Sequence, residues 1–238
     1  MTDQRRAELA KALAEVEARI DQACAAAGRS RDEVRMLAVT KTFPALDAAL
    51  LTDLGVTNLA ENRDQEAGPK AGEVARLRPD ATISWHMVGR LQRNKARSVV
   101  RWAREVQSVD SIRLADALGK AVASEERPPL DVLIQASLDD DPSRGGCPLP
   151  DIPALARHLA RVGGLRLRGL MAVAPLRADP APAFERLARA AESLRREHPD
   201  ATELSAGMSG DLEQAIAHGS TCVRVGTALL GGRGLASP

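Results

Sequence analysis

Eight short runs of apolar residues alternate along the chain with segments that have the composition of helices. The apolar runs cover residues 34–40, 57–60, 82–88, 106–109, 132–138, 165–173, 203–205 and 222–225. The helical segments cover residues 45–53, 65–77, 91–102, 111–123, 152–161, 183–197 and 211–218. Such an alternation is typical of parallel strands that are joined by crossover helices.

A further helix is predicted before the first strand and ends near Gly28. Its apolar residues recur at steps of three or four, at Leu9, Leu13, Val16, Ile20 and Cys24. About eight strand–helix units in roughly 200 residues favour an α/β fold with a single (β/α)8 TIM barrel over a doubly wound sheet. The additional N-terminal helix either caps one end of the barrel or covers part of its helical layer. We predict one domain over residues 1–238, with a core from about residue 8 to residue 233.

Composition excludes several classes of function. The formal net charge is +1, from 33 basic and 32 acidic residues, so we expect neither a nucleic acid nor a membrane as partner. The chain has no tyrosine, which excludes a tyrosine acid or base. Its three cysteines, Cys24, Cys147 and Cys222, are widely spaced and form no CxxC motif, so we expect no metal site.

The same features indicate where the protein acts. An odd number of scattered cysteines is typical of a reducing compartment. The N-terminal residues lead directly into a charged helix, and the apolar stretch 169–176 is too short to span a bilayer. We expect a cytoplasmic protein. In the absence of interface-specific features, we expect a monomer, with a weak dimer as the alternative.

Lys41 is the first candidate for chemistry, because it follows a buried strand and precedes the turn around Pro44. A lysine there lies at the mouth of a barrel, where its neutral amine can attack an aldehyde and form a Schiff base. The alternative is a solvated loop lysine. Only a second signal elsewhere in the chain decides between these two interpretations.

Other residues at the ends of the predicted strands are expected on the same rim. Asn62 follows the second strand, His86 closes the third, and the segment that begins at Met171 comes at the end of the sixth. Two of these residues have an ordinary structural alternative: Asn62 can cap a helix, and His86 can be a hydrogen-bonded core imidazole.

The last two strands give the second signal. Ser205 to Asp211 forms a glycine-bearing turn in which Ser209 can cap a helix, and its free amides can bind an anion. The final strand ends in Arg224-Val225-Gly226-Thr227. Barrel enzymes often hold a phosphate between the loops after strands seven and eight. A reactive lysine together with a phosphate site describes an aldehyde that carries a phosphate, and pyridoxal 5′-phosphate (PLP) fits.

Arg224 alternates with apolar Val223 and Val225, so its side chain is predicted to point into the barrel mouth. An arginine only donates hydrogen bonds. If it meets the pyridine nitrogen of PLP, that nitrogen stays unprotonated and the ring becomes a weak electron sink. The alternative for Arg224 is a salt bridge to Glu61 or Asp110.

The chain resembles the pyridoxal phosphate homeostasis proteins, which have the barrel of the alanine racemase N-terminal domain. The resemblance runs from about Glu8 to Arg233. The matching segments are LAVTKT (37–42), ENR with QE (61–66), WHMVG with LQRNK (85–95), LRGLM (167–171), SAGMS (205–209) and VRVGTA (223–228), together with Gly231 and Arg233.

The resemblance implies a role for each site residue. Lys41 would form the Schiff base, and Arg224 would face the pyridine nitrogen. Phosphate ligands would be Ser205, Ser209, Gly226 and Thr227, and the pocket would be lined by Asn62, His86 and Met208, to which the sixth strand adds Met171. Departures from the family pattern are Ala60, Arg90 and Arg144-Gly145-Gly146. The last three residues belong to the 139–146 loop, and we interpret this loop either as a lid or as an ordinary polar loop.

The family is regarded as a PLP carrier and regulator of vitamin B6 balance, so we expect storage, protection or delivery of the cofactor, with apo PLP-dependent enzymes as partners. A weakly active enzyme of the racemase or decarboxylase class is the alternative. Two-base racemisation needs an opposing base, normally a tyrosine from a C-terminal domain that we do not expect here. A barrel that binds another phosphorylated metabolite is a third interpretation, but it leaves Lys41 unexplained.

Overall fold

Eight parallel strands form a closed ring in the computed structural model, which describes residues 2–139, 144–175 and 178–232. The described residues contain nine strands, of which all but β6 belong to the ring: β1 (Arg35–Val39), β2 (Asn58–Glu61), β3 (Ser84–Met87), β4 (Glu105–Val109), β5 (Leu130–Ser137), β6 (Cys147–Pro148), β7 (Leu165–Met171), β8 (Glu203–Met208) and β9 (Cys222–Val225). Their order is β4-β3-β2-β1-β9-β8-β7-β5, and pairing of β4 with β5 closes the ring. The two-residue strand β6 pairs with β5 outside the ring. The predicted TIM barrel is confirmed.

Helices follow the strands and form the outer layer. They are α1 (Thr2–Ala26), α2 (Ala45–Asp53), α3 (Asp64–Leu77), α4 (Ala96–Val99), α5 (Ile112–Ser124), α6 (Ile152–Leu159), α7 (Ala181–Glu197), α8 (Leu212–Ala217) and α9 (Thr227–Leu230). Short 3-10 turns cover Arg31–Glu33, Arg93–Lys95 and Leu149–Asp151.

Helix α1 covers part of the helical layer rather than capping the barrel. Its buried stripe includes Leu9, Val16 and Ile20, and the helix packs against α2, α8 and α9. Arg5 reaches Asp47 on α2 at 2.8 Å. Because α9 has only four residues, α1 supplies the apolar surface that a full-length last helix would provide.

The segment 91–102 differs from the single helix that its composition predicts. It contains the 3-10 turn Arg93–Lys95 and then α4, while Gln92 is extended with φ −80° and ψ 141°. The Leu91 side chain is 7% exposed and packs in the apolar layer between the strands and the helices. Burial of this side chain therefore outweighs the helical propensity of the residues that follow it.

The interior of the barrel is unusually polar. Its apolar part is a small cluster of Leu37, Val39, Ala60 and Cys222. Most large aliphatic side chains instead pack between the strands and the helices. Barrels of this kind usually fill their interior with layers of branched aliphatic residues. The polar side chains in the barrel interior therefore need hydrogen-bond or ion-pair partners there.

Two features are absent from the residues that the structure describes. None of their helices is both long and apolar enough to cross a membrane. Within the same ranges, no group of three or more His, Cys, Asp and Glu side chains is arranged to hold a metal ion.

Candidate functional site

Lys41 lies in a turn directly after β1. The turn is closed by the Phe43 amide, which donates to the Thr40 carbonyl at 3.1 Å. The Lys41 side chain is half-buried and makes no hydrogen bond or ion pair with any described residue. The next residue, Thr42, has φ +67°, a left-handed conformation that costs a β-branched residue on the order of 1–3 kcal/mol. The surrounding structure therefore holds this turn in a strained shape that presents an unengaged amine.

A buried ion pair between α3 and β2 holds the start of the turn that contains Lys41. Lys70 on α3 donates to Glu61 Oε1 at 2.6 Å and to the Thr40 carbonyl at 2.7 Å. The Thr40 hydroxyl donates to the same Glu61 oxygen at 2.6 Å. Glu61 is fully buried, and its Oε2 has no hydrogen-bond partner within the described ranges. Lys70 therefore fixes the residue that precedes Lys41.

The position of Lys41 distinguishes it from the other lysines of the chain, which are Lys11, Lys70, Lys95 and Lys120. Lys11 and Lys120 are exposed on outer helices, and Lys70 is buried in its ion pair. Lys95 is half-buried on a 3-10 turn beyond β3. Lys41 alone follows the end of a barrel strand, and β1 pairs directly with β9.

The turn after β8 begins at a β-bulge. Ser205 pairs with Cys222 but Met208 pairs with Arg224, so β8 carries one extra residue over this stretch. Gly207 has φ +90°, and a Cβ there would lie 2.6 Å from that of Ala215, so no other residue fits. After the bulge, the Met208 amide donates to Asp211 Oδ1 at 2.6 Å.

The turns after β8 and β9 are joined beside the end of β1. The Ala228 amide donates to Ser209 Oγ at 3.3 Å. A Cβ on Gly226 would lie 3.4 Å from the Val39 carbonyl oxygen, so the β9 turn runs close to the last residue of β1. The amides of Ser209, Gly210 and Thr227 make no hydrogen bond to other described residues. These free donors can bind the oxygens of a phosphate.

Arg224 is 5% exposed and lies beneath these turns. Its Nη1 donates to Ser205 Oγ and its Nη2 to the Ala172 carbonyl, both at 2.7 Å. Burial lowers the pKa of the Arg224 guanidinium from its ordinary value. The alternative salt bridge of Arg224 to Glu61 or Asp110 does not form.

The remaining predicted site residues lie at different depths. Asn62 is half-buried at the mouth, where Gly89 lets the two loops touch, because a Cβ on Gly89 would lie 2.1 Å from the Asn62 carbonyl oxygen. Met171 is buried and pairs in register with Ser205. Ser205 is fully buried, so its predicted phosphate contact would need the hydroxyl to give up its present partners. The role assigned to each of these residues stays a prediction.

His86 lies inside the barrel with both ring nitrogens engaged. Nδ1 is 2.9 Å from Glu105 Oε1, and Nε2 is 3.2 Å from Asn58 Oδ1. Arg35 also contacts Glu105, at 3.3 Å, and Glu203, at 2.7 Å. This geometry matches the structural alternative given for His86, a hydrogen-bonded core imidazole.

The environment of Glu105 predicts a pH-dependent stability. Burial alone would raise the pKa of the Glu105 carboxyl, but its hydrogen bond and Coulomb attraction to His86, aided by Arg35, lower it from 4.5 to about 2. A carboxyl whose pKa is lower in the folded chain stabilises the fold above its unfolded pKa. We expect this contribution, on the order of 3 kcal/mol, to be lost as the pH falls from about 5 to about 2.

Chemical denaturation at several pH values tests this expectation. The Glu105→Gln variant should lose less unfolding free energy than the wild type over the acid range. The exposed Glu15→Gln variant serves as the control and should keep the wild-type slope. Burial raises the pKa of neighbouring Glu203, which opposes the effect, so the difference between Glu105→Gln and wild type is the informative quantity. Equal slopes for these two proteins would contradict the expectation.

A wide polar groove of about 1360 Å³ lies beside the barrel mouth, over the ends of β2, β3 and β4. Of the predicted site residues, Asn62 lines it. Its lining also includes the basic residues Arg93, Lys95 and Arg113 and the acidic residue Asp110. Lys41 does not line this groove, and the free amides of the β8 and β9 turns lie next to β1 instead. The location of the reactive site at Lys41 stays a prediction.

The described ends of the 139–146 loop contact the barrel on the side of β5 and β7. Residues 140–143 lie outside the described ranges, as does Arg233 of the resemblance. Arg144 pairs with Asp139 and donates to the Ala174 carbonyl at 2.9 Å. Gln135 Nε2 donates to the Arg144 carbonyl at 3.1 Å. The interpretation of this loop as a lid stays a prediction.

The residues that support the predicted site from the barrel interior and from α3 were not identified from the sequence. They are Arg35, Lys70, Glu105 and Gln107. One signal was present: Glu105 and Gln107 are polar residues two positions apart in a short β-like segment, which places them on the same face of the strand.

Comparison with known proteins identifies related chains. The family described as alanine racemase, N-terminal domain, matches residues 12–234. The pyridoxal phosphate homeostasis protein of Mycobacterium tuberculosis is 49% identical over an alignment of 250 residues, which covers 98% of this chain and 96% of the relative. A crystal structure of an unknown protein from Bifidobacterium adolescentis has a TM-score of 0.90 and 32% identity, over 95% of this chain and 96% of that chain. The structure of PipY from Synechococcus elongatus, with PLP bound, has a TM-score of 0.82 and 32% identity, over 94% of this chain and 100% of that chain.

Proposed function

Because the chain belongs to the family of pyridoxal phosphate homeostasis proteins, we propose that it binds PLP at the barrel mouth through a Schiff base to Lys41. The observation that carries this proposal is the unengaged amine of Lys41, next to the strand whose turn offers free amides. The solved relative PipY, with PLP bound, supports the choice of ligand.

The side chains present fit the three reactive parts of the cofactor. The Lys41 nitrogen would bond to the aldehyde carbon with loss of water. Free amides at Ser209, Gly210 and Thr227 would receive the phosphate. Arg224 would donate to the pyridine nitrogen, which an arginine cannot protonate. PLP held in this way supplies an aldehyde for reversible attachment and a weak electron sink.

We infer that the protein stores, protects or delivers PLP rather than catalysing a reaction on it. The donor-only Arg224 disfavours carbanion chemistry, and the chain has no tyrosine to serve as a second base. Weak racemase-type activity is the alternative, and its support is the match to the alanine racemase N-terminal domain. Following the optical rotation of L- and D-alanine in the presence of loaded protein separates the two.

Titration of the cofactor-free protein with PLP tests the proposal. We expect a visible absorption band that saturates at one PLP per chain, because a single lysine has the required surroundings. A protein that remains colourless after addition of excess PLP contradicts the proposal.

Delivery is tested by mixing the loaded protein with a cofactor-free PLP-dependent enzyme. We expect enzyme activity to appear when free PLP is kept low by a competing aldehyde trap. An equal concentration of free PLP under the same trap is the control. If both samples activate the enzyme equally, the protein stores PLP without delivering it.

A further inference from the structure

A continuous series of hydrogen bonds crosses the barrel interior from Glu105 on β4 to Arg224 on β9. Gln107 Nε2 donates to Glu105 Oε1 at 2.6 Å, and Ser205 Oγ donates to Gln107 Oε1 at 2.7 Å. Arg224 Nη1 then donates to Ser205 Oγ at 2.7 Å. All four side chains are buried, with exposures between 0% and 5%. Bulk water therefore cannot readily replace any member.

The carboxylate at one end sets the direction of every bond in this series. Glu105 is ionised at neutral pH, because its pKa is lowered to about 2 despite burial. A carboxylate only accepts, so Gln107 must turn its amide nitrogen toward Glu105 and its carbonyl toward Ser205. The single hydroxyl proton of Ser205 is then directed at Gln107, and Ser205 Oγ is left as an acceptor for Arg224.

This arrangement orients a buried guanidinium without an ion pair. Among the described residues, Arg224 forms no hydrogen bond or close ion pair with a carboxylate, although Asp211 attracts it electrostatically. It is held by two neutral acceptors, Ser205 Oγ and the Ala172 carbonyl. A guanidinium has five N–H donors, so the donors not used on these acceptors remain for a ligand. One contact comes from β8 and the other from the residue that follows β7, and together they fix the plane of the group.

We propose that Gln107 and Ser205 are positioning residues that orient Arg224 toward the pyridine nitrogen of PLP. Glu105 anchors the series, and neither Gln107 nor Ser205 touches the cofactor. The claim that Arg224 faces the pyridine nitrogen rests on the proposed function. The claim that Gln107 and Ser205 orient Arg224 does not depend on it. For Ser205 this role differs from the phosphate contact that the family resemblance implies, and its fully buried hydroxyl, engaged on both sides, favours the new assignment.

The first experiment uses the cofactor-free protein and needs no PLP. The exchange with water of the Arg224 guanidinium protons is followed by nuclear magnetic resonance, and the signal is assigned by its loss in Arg224→Lys. In Gln107→Met and in Ser205→Ala we expect exchange at least about ten times faster than in wild type. Ser205→Ala removes an acceptor of the guanidinium, and Gln107→Met removes the acceptor that directs the Ser205 hydroxyl proton away from Arg224.

Matched controls separate this effect from a general loss of stability. Asn58→Leu removes an interior amide that contacts His86 and lies outside the series. Ser220→Ala removes a fully buried hydroxyl that bonds only to backbone groups, including the Ala206 carbonyl at 2.7 Å. Both controls should keep the wild-type exchange of Arg224, even where they unfold at lower denaturant concentration.

The second experiment follows the visible band of the PLP-loaded proteins against pH. Gln107→Met and Ser205→Ala should shift the midpoint of this titration, whereas Asn58→Leu and Ser220→Ala should not. Phosphate competition should be the same for Ser205→Ala and wild type. If Ser205→Ala instead loses phosphate affinity and keeps the midpoint, Ser205 is a phosphate ligand and the positioning role is refuted.

The outcomes also separate this inference from the proposed function. The positioning role is overturned if variants at Gln107 and Ser205 fold and keep the wild-type exchange of the Arg224 protons. This conclusion holds whether or not these variants give a visible band with PLP. A wild-type protein that gives no band with PLP overturns the proposed function, while the exchange measurement still reports on Arg224. Should Gln107→Met fail to fold, Ser205→Ala alone decides, because it removes only one oxygen atom.

Discussion

Replacing Lys41 by alanine is expected to abolish the visible absorption band of the PLP-loaded protein and to leave the fold intact. The band requires a nitrogen that bonds to the aldehyde carbon, and no other lysine of the chain lies next to the β8 and β9 turns. The Lys41 side chain makes no hydrogen bond or ion pair with the described residues, so its removal should change the unfolding free energy by no more than about 0.5 kcal/mol. Absorption spectroscopy and chemical denaturation measure the two quantities.

Two control variants refine the Lys41 experiment. Lys41→Arg keeps a positive charge at the site but cannot attack the aldehyde in the same way, and we expect it to lose the band as Lys41→Ala does. Lys95→Met removes the other half-buried lysine that has no hydrogen bond or ion pair with the described residues, and we expect it to keep the band. Loss of folding in Lys41→Ala would show instead that this lysine is structural.

Removal of the Lys70 ammonium is expected to give a large loss of stability. In Lys70→Met, the fully buried Glu61 carboxylate would keep only the Thr40 hydroxyl as a partner. Breaking a buried ion pair from one side typically destabilises a fold by about 3–5 kcal/mol, because the remaining charge is uncompensated. We expect a loss in this range, measured as the unfolding free energy at pH 7. The exposed Lys11→Met, whose pair with Glu15 spans 3.9 Å, should lose at most about 1 kcal/mol.

A double-mutant cycle distinguishes a charge effect from a packing effect at this pair. Glu61→Leu combined with Lys70→Met replaces both charges by apolar groups, and we expect the double variant to be more stable than Lys70→Met alone. If the losses of the single variants simply add, the two side chains act independently and the ion pair does not support the turn. The PLP titration of the double variant then shows whether Lys41 still reacts when Thr40 has lost its contacts with the Glu61 and Lys70 side chains.

The order of the strands was predictable because each strand is a short buried run with helical residues on both sides. The segment 91–102 shows where local pattern fails, since burial of Leu91 decides the conformation and no local signal reports that contact. Lys41 was identified from its place after β1. Strand β9, which pairs with β1, lies about 180 residues further along the chain, and closure of the barrel brings these two strands together.

The depth of a side chain within the barrel was not predictable from the sequence. Ser205 and Ser209 both occur in one glycine-bearing turn motif, yet Ser205 is fully buried beneath Arg224 and Ser209 lies in the turn. The bulge in β8 sets this difference, because an extra residue changes which side chains face inward. Likewise, Arg35, which contacts Glu105, and Ser205, which contacts Gln107, come from strands that are distant in the chain.

Borohydride reduction of the PLP-loaded protein, followed by peptide mapping, identifies the attached residue directly. Reduction converts a Schiff base to a stable secondary amine, so the cofactor remains on the lysine that held it. With five lysines in the chain, each position can be scored separately. We expect the label on the peptide that contains Lys41 and none on the other four lysines. A label on Lys95 instead would place the cofactor in the neighbouring groove and contradict the site described for this barrel.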